Sequence, residues 1–105
     1  MFVAVYEFQI KVGCENAFRE SWSQLTHCIF QQNGSLGSRL HKLDEDRFVA
    51  YAQWPDRQAW ESSGEKGLNE EGEIARRQMW ETLEASSTVY ELDLLEDYLQ
   101  QNICS

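Results

Sequence analysis

His41 is the residue of this chain best suited to move a proton near neutral pH, because an unperturbed imidazole titrates near ~6.5. It stands two positions after Arg39 in the stretch Ser38-Arg39-Leu40-His41. Residues i and i+2 of a strand share a face, so Arg39 and His41 present a cation and a base to one side. Tyr51, in the next strand, joins them there. Such a set suits proton transfer, with Arg39 available to hold an anion. Arg39 has a second reading, an ion pair with Glu7 across a dimer, and that one is preferred. Trp22, Trp54, Trp60 and Trp80 with Tyr6 supply aromatic surface for a cavity that binds a small aromatic ligand, although each tryptophan taken singly reads first as core. His27 sits beside an apolar helical stripe and reads as a surface or packing residue.

These residues need elements to position them, and the stretch Leu36 to Trp60 holds the most informative ones. Leu36 to Leu43 alternates apolar and polar residues, Asp44-Glu45-Asp46 breaks the alternation, and Arg47 to Trp54 resumes it, which predicts a hairpin with a short acidic loop. With Leu43 facing Arg47, the register pairs Leu36 with Trp54, Ser38 with Ala52 and Leu40 with Ala50 on one apolar face. Arg39, His41, Val49, Tyr51 and Gln53 then occupy the other. A two-residue loop would recombine the faces and turn His41 toward the helices. The first register keeps an apolar face intact and is preferred.

Phe2 to Lys11 alternates as a strand, with Phe2, Ala4, Tyr6, Phe8 and Ile10 on one face. From Cys14 to about Gln32, Phe18, Trp22, Leu25 and Ile29 recur at helical spacing, and Asn33-Gly34 supplies a C-terminal stop. Pro55 ends the hairpin and opens a short helix to about Ser63. Gly64 to Gly67 reads as a flexible connection. A further helix runs from Leu68 through Ile74, Ala75, Met79 and Leu83, with Arg76 and Arg77 pointing out. Ser86 to Leu94 has strand chemistry, and Leu95 through Ile103 has helical spacing.

Strand, helix, strand, strand, helix, strand is the split βαβ plan of an α+β, ferredoxin-like sandwich, its antiparallel sheet covered by helices on one side. The uncovered side carries Val3, Val5, Val49 and Tyr51, too apolar for a monomer surface, so a homodimer through the sheet face is expected.

At 105 residues the chain suits one domain, residues 1–105. Its net charge of −9, from 18 acidic against 9 basic residues, argues against a nucleic-acid partner. No apolar run approaches the ~18 residues of a membrane span, and Met1-Phe2-Val3-Ala4 opens into a strand without a basic leader. A cytoplasmic protein is expected. Cys14, Cys28 and Cys104 match no zinc or redox spacing. Cys14 and Cys28 at the two ends of one helix would lie roughly 21 Å apart, too far for a disulfide. No metal site is expected.

The strand ending at Gly13, the helix with Phe18 and Trp22, the Gly-Ser-Arg-Leu-His strand at 37–41 and above all Ala50-Tyr-Ala-Gln-Trp-Pro-Asp-Arg-Gln-Ala-Trp60 resemble the antibiotic biosynthesis monooxygenase family of the dimeric α/β-barrel superfamily. The resemblance implies a dimeric α/β barrel. It also implies a cofactor-independent monooxygenase that needs neither metal nor flavin, because a deprotonated phenol or quinol reacts with dioxygen itself. The protein then supplies an apolar cavity, a group that handles a proton and exclusion of water. Two departures from the family stand out. Many members carry a histidine shortly after the alanine-aromatic pair, where this chain has Glu61-Ser62-Ser63. The haem-degrading branch uses an Asn on the first strand, a Trp on the second helix and a His on the next. Here the corresponding regions hold Tyr6-Glu7 and Ser62-Ser63, and no histidine follows His41. The missing histidine motivates an alternative, a non-catalytic dimeric module that binds a small molecule or a protein partner. An isomerase on the same barrel is a third reading.

Overall fold

Residues 1–99 are described by the structure, a computed structural model. The alternation at the start of the chain produces β1 (Phe2–Ile10), and Gly13, at φ +81°, turns the chain into α1 (Glu15–Gln32). The buried line of α1 is Phe18, Ser21, Leu25 and Cys28, not the expected stripe in full. Trp22 and Ile29 sit on the flank of that line, half-buried. Ser21 tolerates burial because its hydroxyl donates to the carbonyl of Ala17 at 2.8 Å. Gly34, at φ +80°, ends the turn after Asn33.

The hairpin follows as β2 (Gly37–Lys42) and β3 (Arg47–Trp54). Its register is the preferred one, Ser38 opposite Ala52 and Leu40 opposite Ala50. The acidic loop is a closure device. Leu43 N–H donates to the Arg47 carbonyl at 2.9 Å. The Asp44 carboxylate accepts from the Arg47 backbone N–H at 3.1 Å and from Arg47 Nε at 2.8 Å. The Arg47 hydrogen bond, ahead of all other influences, holds the Asp44 carboxyl below its usual range.

After Pro55, Asp56 caps α2 (Arg57–Lys66) by accepting the Ala59 N–H at 2.8 Å. The flexible connection expected at Gly64 to Gly67 is mostly helix instead. Lys66 Nζ donates to the Gln32 carbonyl at 2.8 Å, which ties the last turn to the end of α1, and Gly67 at φ +75° makes the stop. Asn69 caps α3 (Glu70–Glu81), accepting the Gly72 N–H at 2.9 Å. This helix is shorter than expected at both ends. Leu83 keeps its place in the core but belongs to the sheet, as the first residue of β4 (Leu83–Asp93). Residues 94–99 form no regular element, where helical spacing was expected, and the rest of that stretch, with Ile103 and Cys104, lies outside the described residues.

The four strands form one antiparallel sheet in the order β2-β3-β1-β4. The fold is thus the expected α+β, ferredoxin-like arrangement. Between sheet and helices, Phe18 packs its ring at 5.4 Å from Phe8 and 5.2 Å from Phe48. A second cluster gathers Phe2, Ala4, Ala52 and Trp54, with Trp60 against it. On the opposite face Val5, Val49 and Tyr51 are half-buried, and Val3, expected there as exposed apolar surface, is buried. β4, at the edge, buries only Leu83. No helix among the described residues is long and apolar enough to cross a membrane.

Phe18 is fully buried at the junction of three elements, so Phe18→Ala is expected to cost about 3–5 kcal/mol. Urea unfolding checks this: the midpoint falls while the slope with denaturant is unchanged.

Candidate functional site

The centre of the sheet is floored by small residues. Ala50 and Ala52 on β3 face the helices where larger side chains would fill the layer. The space above them is a cavity of about 230 Å³. Tyr6 and Phe8 rise from β1, Trp22, Leu25 and Ile29 descend from α1, and Arg76, Met79 and Trp80 reach in from α3. A second, more open chamber of about 560 Å³ lies under α2, walled by Trp60, Glu61 and Ser63. Tyr6, Ile29, Trp54 and Arg76 line both. The two chambers therefore adjoin, and the outer one adds Glu61 and Glu65 to the lining.

Three polar groups stand out in these walls. The Tyr6 hydroxyl oxygen accepts a hydrogen bond from Trp60 Nε1 at 2.7 Å. Burial raises the Tyr6 pKa above the usual tyrosine value. The Trp60 bond partly offsets that rise, and the Glu91 charge adds to it. Tyr6 is thus a neutral phenol across the physiological range. Arg76 is held by Glu73 through one nitrogen, at 3.5 Å. A guanidinium has five N–H donors, so most of its capacity is open to a ligand. Trp54 is 4% exposed, and its indole N–H has no partner among the described residues.

Every residue expected to bind the substrate lines this site. Tyr6, Trp22, Trp54 and Trp80 meet at the inner chamber, and Trp60 meets Tyr6 and Trp54 at the outer one. Trp80 remains 54% exposed. Arg39, His41 and Tyr51, expected to carry the chemistry, are on the opposite face of the sheet. Arg39 pairs with Tyr51 and His41 with Val49 across the hairpin, and the register that places Ala50 and Ala52 inward directs these residues outward. Neither histidine lines either chamber. Glu7, the partner expected for Arg39 across a dimer, makes a 3.7 Å ion pair with Arg47 of its own chain.

Sequence reasoning missed Arg76, which it pointed to solvent. Its spacing held the signal: Arg76 is four residues after Gly72 and three before Met79, both buried, and such neighbours share a helix face. A β-bulge was also missed. Between Val5 and Tyr6 the pairing with β4 slips, so Val5 faces Tyr90 while Tyr6 faces Thr88. The extra residue is Val89 on β4, while β1 keeps its register with β3 through Tyr6. Among the described residues no group of three His, Cys, Asp or Glu side chains could hold a metal ion.

Comparison with known proteins finds a match between residues 1–65 and the family model described as antibiotic biosynthesis monooxygenase. No curated protein matches the sequence. Among solved structures, the chain resembles SnoaB, described as a cofactor-independent oxygenase from Streptomyces nogalater, at TM-score 0.73 and 14% identity, over 94% of this chain and 97% of that one. It also resembles PA3566 from Pseudomonas aeruginosa (TM-score 0.68, 20% identity, 90% of this chain and 94% of that one). A NIPSNAP domain protein from Burkholderia xenovorans matches at TM-score 0.70 and 14% identity, over 96% and 100%. At these identities the likeness is one of fold.

A buried phenol that keeps its proton longer in the folded than in the unfolded chain stabilises the fold below the unfolded pKa, and that contribution is lost as pH rises through the folded pKa. Of the four tyrosines, Tyr6 is expected to ionise after the ordinary tyrosine phase in an ultraviolet titration. Tyr6→Phe is expected to remove that late phase and to flatten the alkaline fall in stability.

Proposed function

The chain belongs to the antibiotic biosynthesis monooxygenase family, and from that premise we propose that it oxygenates a small electron-rich phenol or quinol, without a cofactor, in the tryptophan-walled site. The observation that carries this reading is the composition of the inner chamber: aromatic and aliphatic walls with Arg76 as their one charged group. A guanidinium beside a phenol favours the phenolate, whose proton leaves to water through the outer chamber. The phenolate is electron-rich enough to reduce dioxygen directly. The ring gains one oxygen atom and loses two hydrogens to become a quinone, and the second oxygen atom leaves as water, so the substrate supplies all four electrons. Apolar walls exclude water from the intermediate. In this reading Arg76 and Tyr6 take the part expected of His41, Arg39 and Tyr51. The likeness to SnoaB supports it at the level of fold.

The open face of the sheet, with Val5, Val49 and Tyr51 joined by the exposed Tyr90 and Leu92 of β4, belongs in this proposal to a second copy of the chain. Exposed apolar area on a sheet face is the usual mark of such an interface. Arg39, His41 and Tyr51 then serve the interface. A second reading, a dimeric module that binds small molecules without turning them over, is favoured by the lack of a histidine in either chamber.

Oxygen uptake by the purified protein with a panel of naphthols and quinols decides between these readings. Arg76→Gln is expected to reduce kcat/KM by at least about tenfold, the loss of roughly one charged hydrogen bond in the transition state, and His41→Ala to leave it unchanged. Saturable binding with no oxygen uptake would instead establish the binding module. For the interface, Val5→Glu combined with Tyr90→Glu is expected to halve the mass seen in sedimentation equilibrium. A single-chain mass in the unaltered protein would overturn that part.

A further inference from the structure

The two halves of α2 are attached by different means. Its first turn is docked on the sheet: the Trp60 ring lies 5.2 Å from the Phe2 ring and its indole N–H donates to Tyr6, while the Arg57 guanidinium stands 4.8 Å from the same Phe2 ring and pairs with Glu91. The stretch that follows, Glu61-Ser62-Ser63-Gly64-Glu65-Lys66-Gly67, has no apolar side chain to dock. Two hydrogen bonds tie it to the rest of the described chain, Asn33 Nδ2 to Ser63 Oγ at 3.0 Å and Lys66 Nζ to the Gln32 carbonyl at 2.8 Å. Glu61, Ser63, Gly64 and Glu65 also wall the larger chamber. We infer that residues 61–67 are a gate: the last turns of α2 open beyond the docked Trp60, admit a ligand through the outer chamber and close behind it. This inference rests on the cavity being the ligand site.

Gly64 points most directly to a gate. Its backbone is helical, and a Cβ built there would meet nothing within 4 Å among the described residues. Neither turn geometry nor a close approach calls for a glycine at this position, and inside a helix glycine is less favourable than alanine. Glu61 and Glu65, four residues apart, are like charges on one helix face, which weakens the same turns. Asn33 is buried, and its side-chain oxygen has no partner among the described residues. The closed joint with Ser63 thus leaves a buried acceptor that opening would hydrate. Three separate features lower the free energy of opening at one end of one helix, and Gly67, at φ +75°, supplies the pivot beyond it. A segment of this kind opens locally, without the rest of the fold.

Gly64→Ala tests the gate with a change that strengthens the helix. In amide hydrogen exchange on the purified full chain, the amides of residues 62–67 are expected to exchange by local opening, faster than those of α1 around Phe18. Gly64→Ala is expected to slow them about two- to fivefold, the scale of the difference between glycine and alanine within a helix. With 2-naphthol as the probe, stopped-flow fluorescence is expected to show association and dissociation slowed by the same factor and Kd unchanged, because a gate alters access and not the bound contacts. Lys66→Met, which keeps the aliphatic stem and removes the donor to Gln32, is expected to speed both steps. Amides of 62–67 protected as strongly as those around Phe18, or naphthol rates unmoved by Gly64→Ala while binding persists, would overturn the inference and leave the cavity as the ligand site. Entry would then run past the half-exposed Trp80 at the inner chamber. Absence of naphthol binding would overturn the cavity reading and this inference with it.

Discussion

The closure of the hairpin at Leu43 and Arg47 fixes which side of the sheet each residue of β2 and β3 occupies, and the functional geometry depends on it. The side-chain period of a strand is two, so a slip of one residue exchanges the faces of the slipped strand. With Leu43 bonded to the Arg47 carbonyl, and Asp44 gripping both the backbone and the side chain of Arg47, Ala50 and Ala52 face the helices while Tyr51 and Gln53 face away. A three-residue acidic loop thus decides that the chamber is floored with methyl groups. It also decides that the imidazole lies on the other side.

The hollow above Ala50 and Ala52 is a built feature. Native interiors contain few voids larger than a water molecule, and beside the hollow the Phe8 and Phe48 rings each pack, tilted, within 5.4 Å of the Phe18 ring. The hollow lies where short side chains on the sheet oppose long ones on its border. Trp22 and Ile29 leave the central line of α1 to border it. Arg76, three residues before the buried Met79, enters it from α3. The protein thus keeps a dry core and a ligand-sized space side by side in one layer.

Most of the fold was legible in the sequence because strands and amphipathic helices announce themselves by period. The alternation of Phe2 to Ile10, the spacing of Phe18 and Leu25, and the break at Asp44 to Asp46 each rest on local pattern, and each gave its element. The tryptophans and Tyr6 were legible as one aromatic lining for the same reason. What stayed hidden depends on tertiary contacts. Gly64 sits within α2, contrary to its propensity, where Lys66 anchors the last turn to Gln32. Leu83 has the spacing of a helix residue and the position of a strand residue, since either arrangement buries it. Arg76 was assigned to solvent by its charge alone, whereas a long aliphatic stem lets its head reach a cavity from the border of a helix. The bulge beside Tyr6 has no mark in either strand taken singly.

The roof of the site follows a different energetic rule from its floor. α2 contains no fully buried residue, and its apolar attachment is the half-buried Ala59 and Trp60, the Trp60 ring lying 5.2 Å from that of Phe2. Trp60 to Tyr6, Asn33 Nδ2 to Ser63 Oγ at 3.0 Å, Lys66 to Gln32 and the Arg57–Glu91 ion pair add polar ties. Bonds of this kind contribute about 0.5–1.5 kcal/mol each, and exposed ion pairs less. Segments held this way belong to the low end of the local stability range, where opening costs far less than unfolding the chain. The Phe18 core lies at the other end. Trp60 is both an attachment point of the roof and the partner of the Tyr6 hydroxyl, so the polar group in the wall is coupled to the packing of α2 on the sheet.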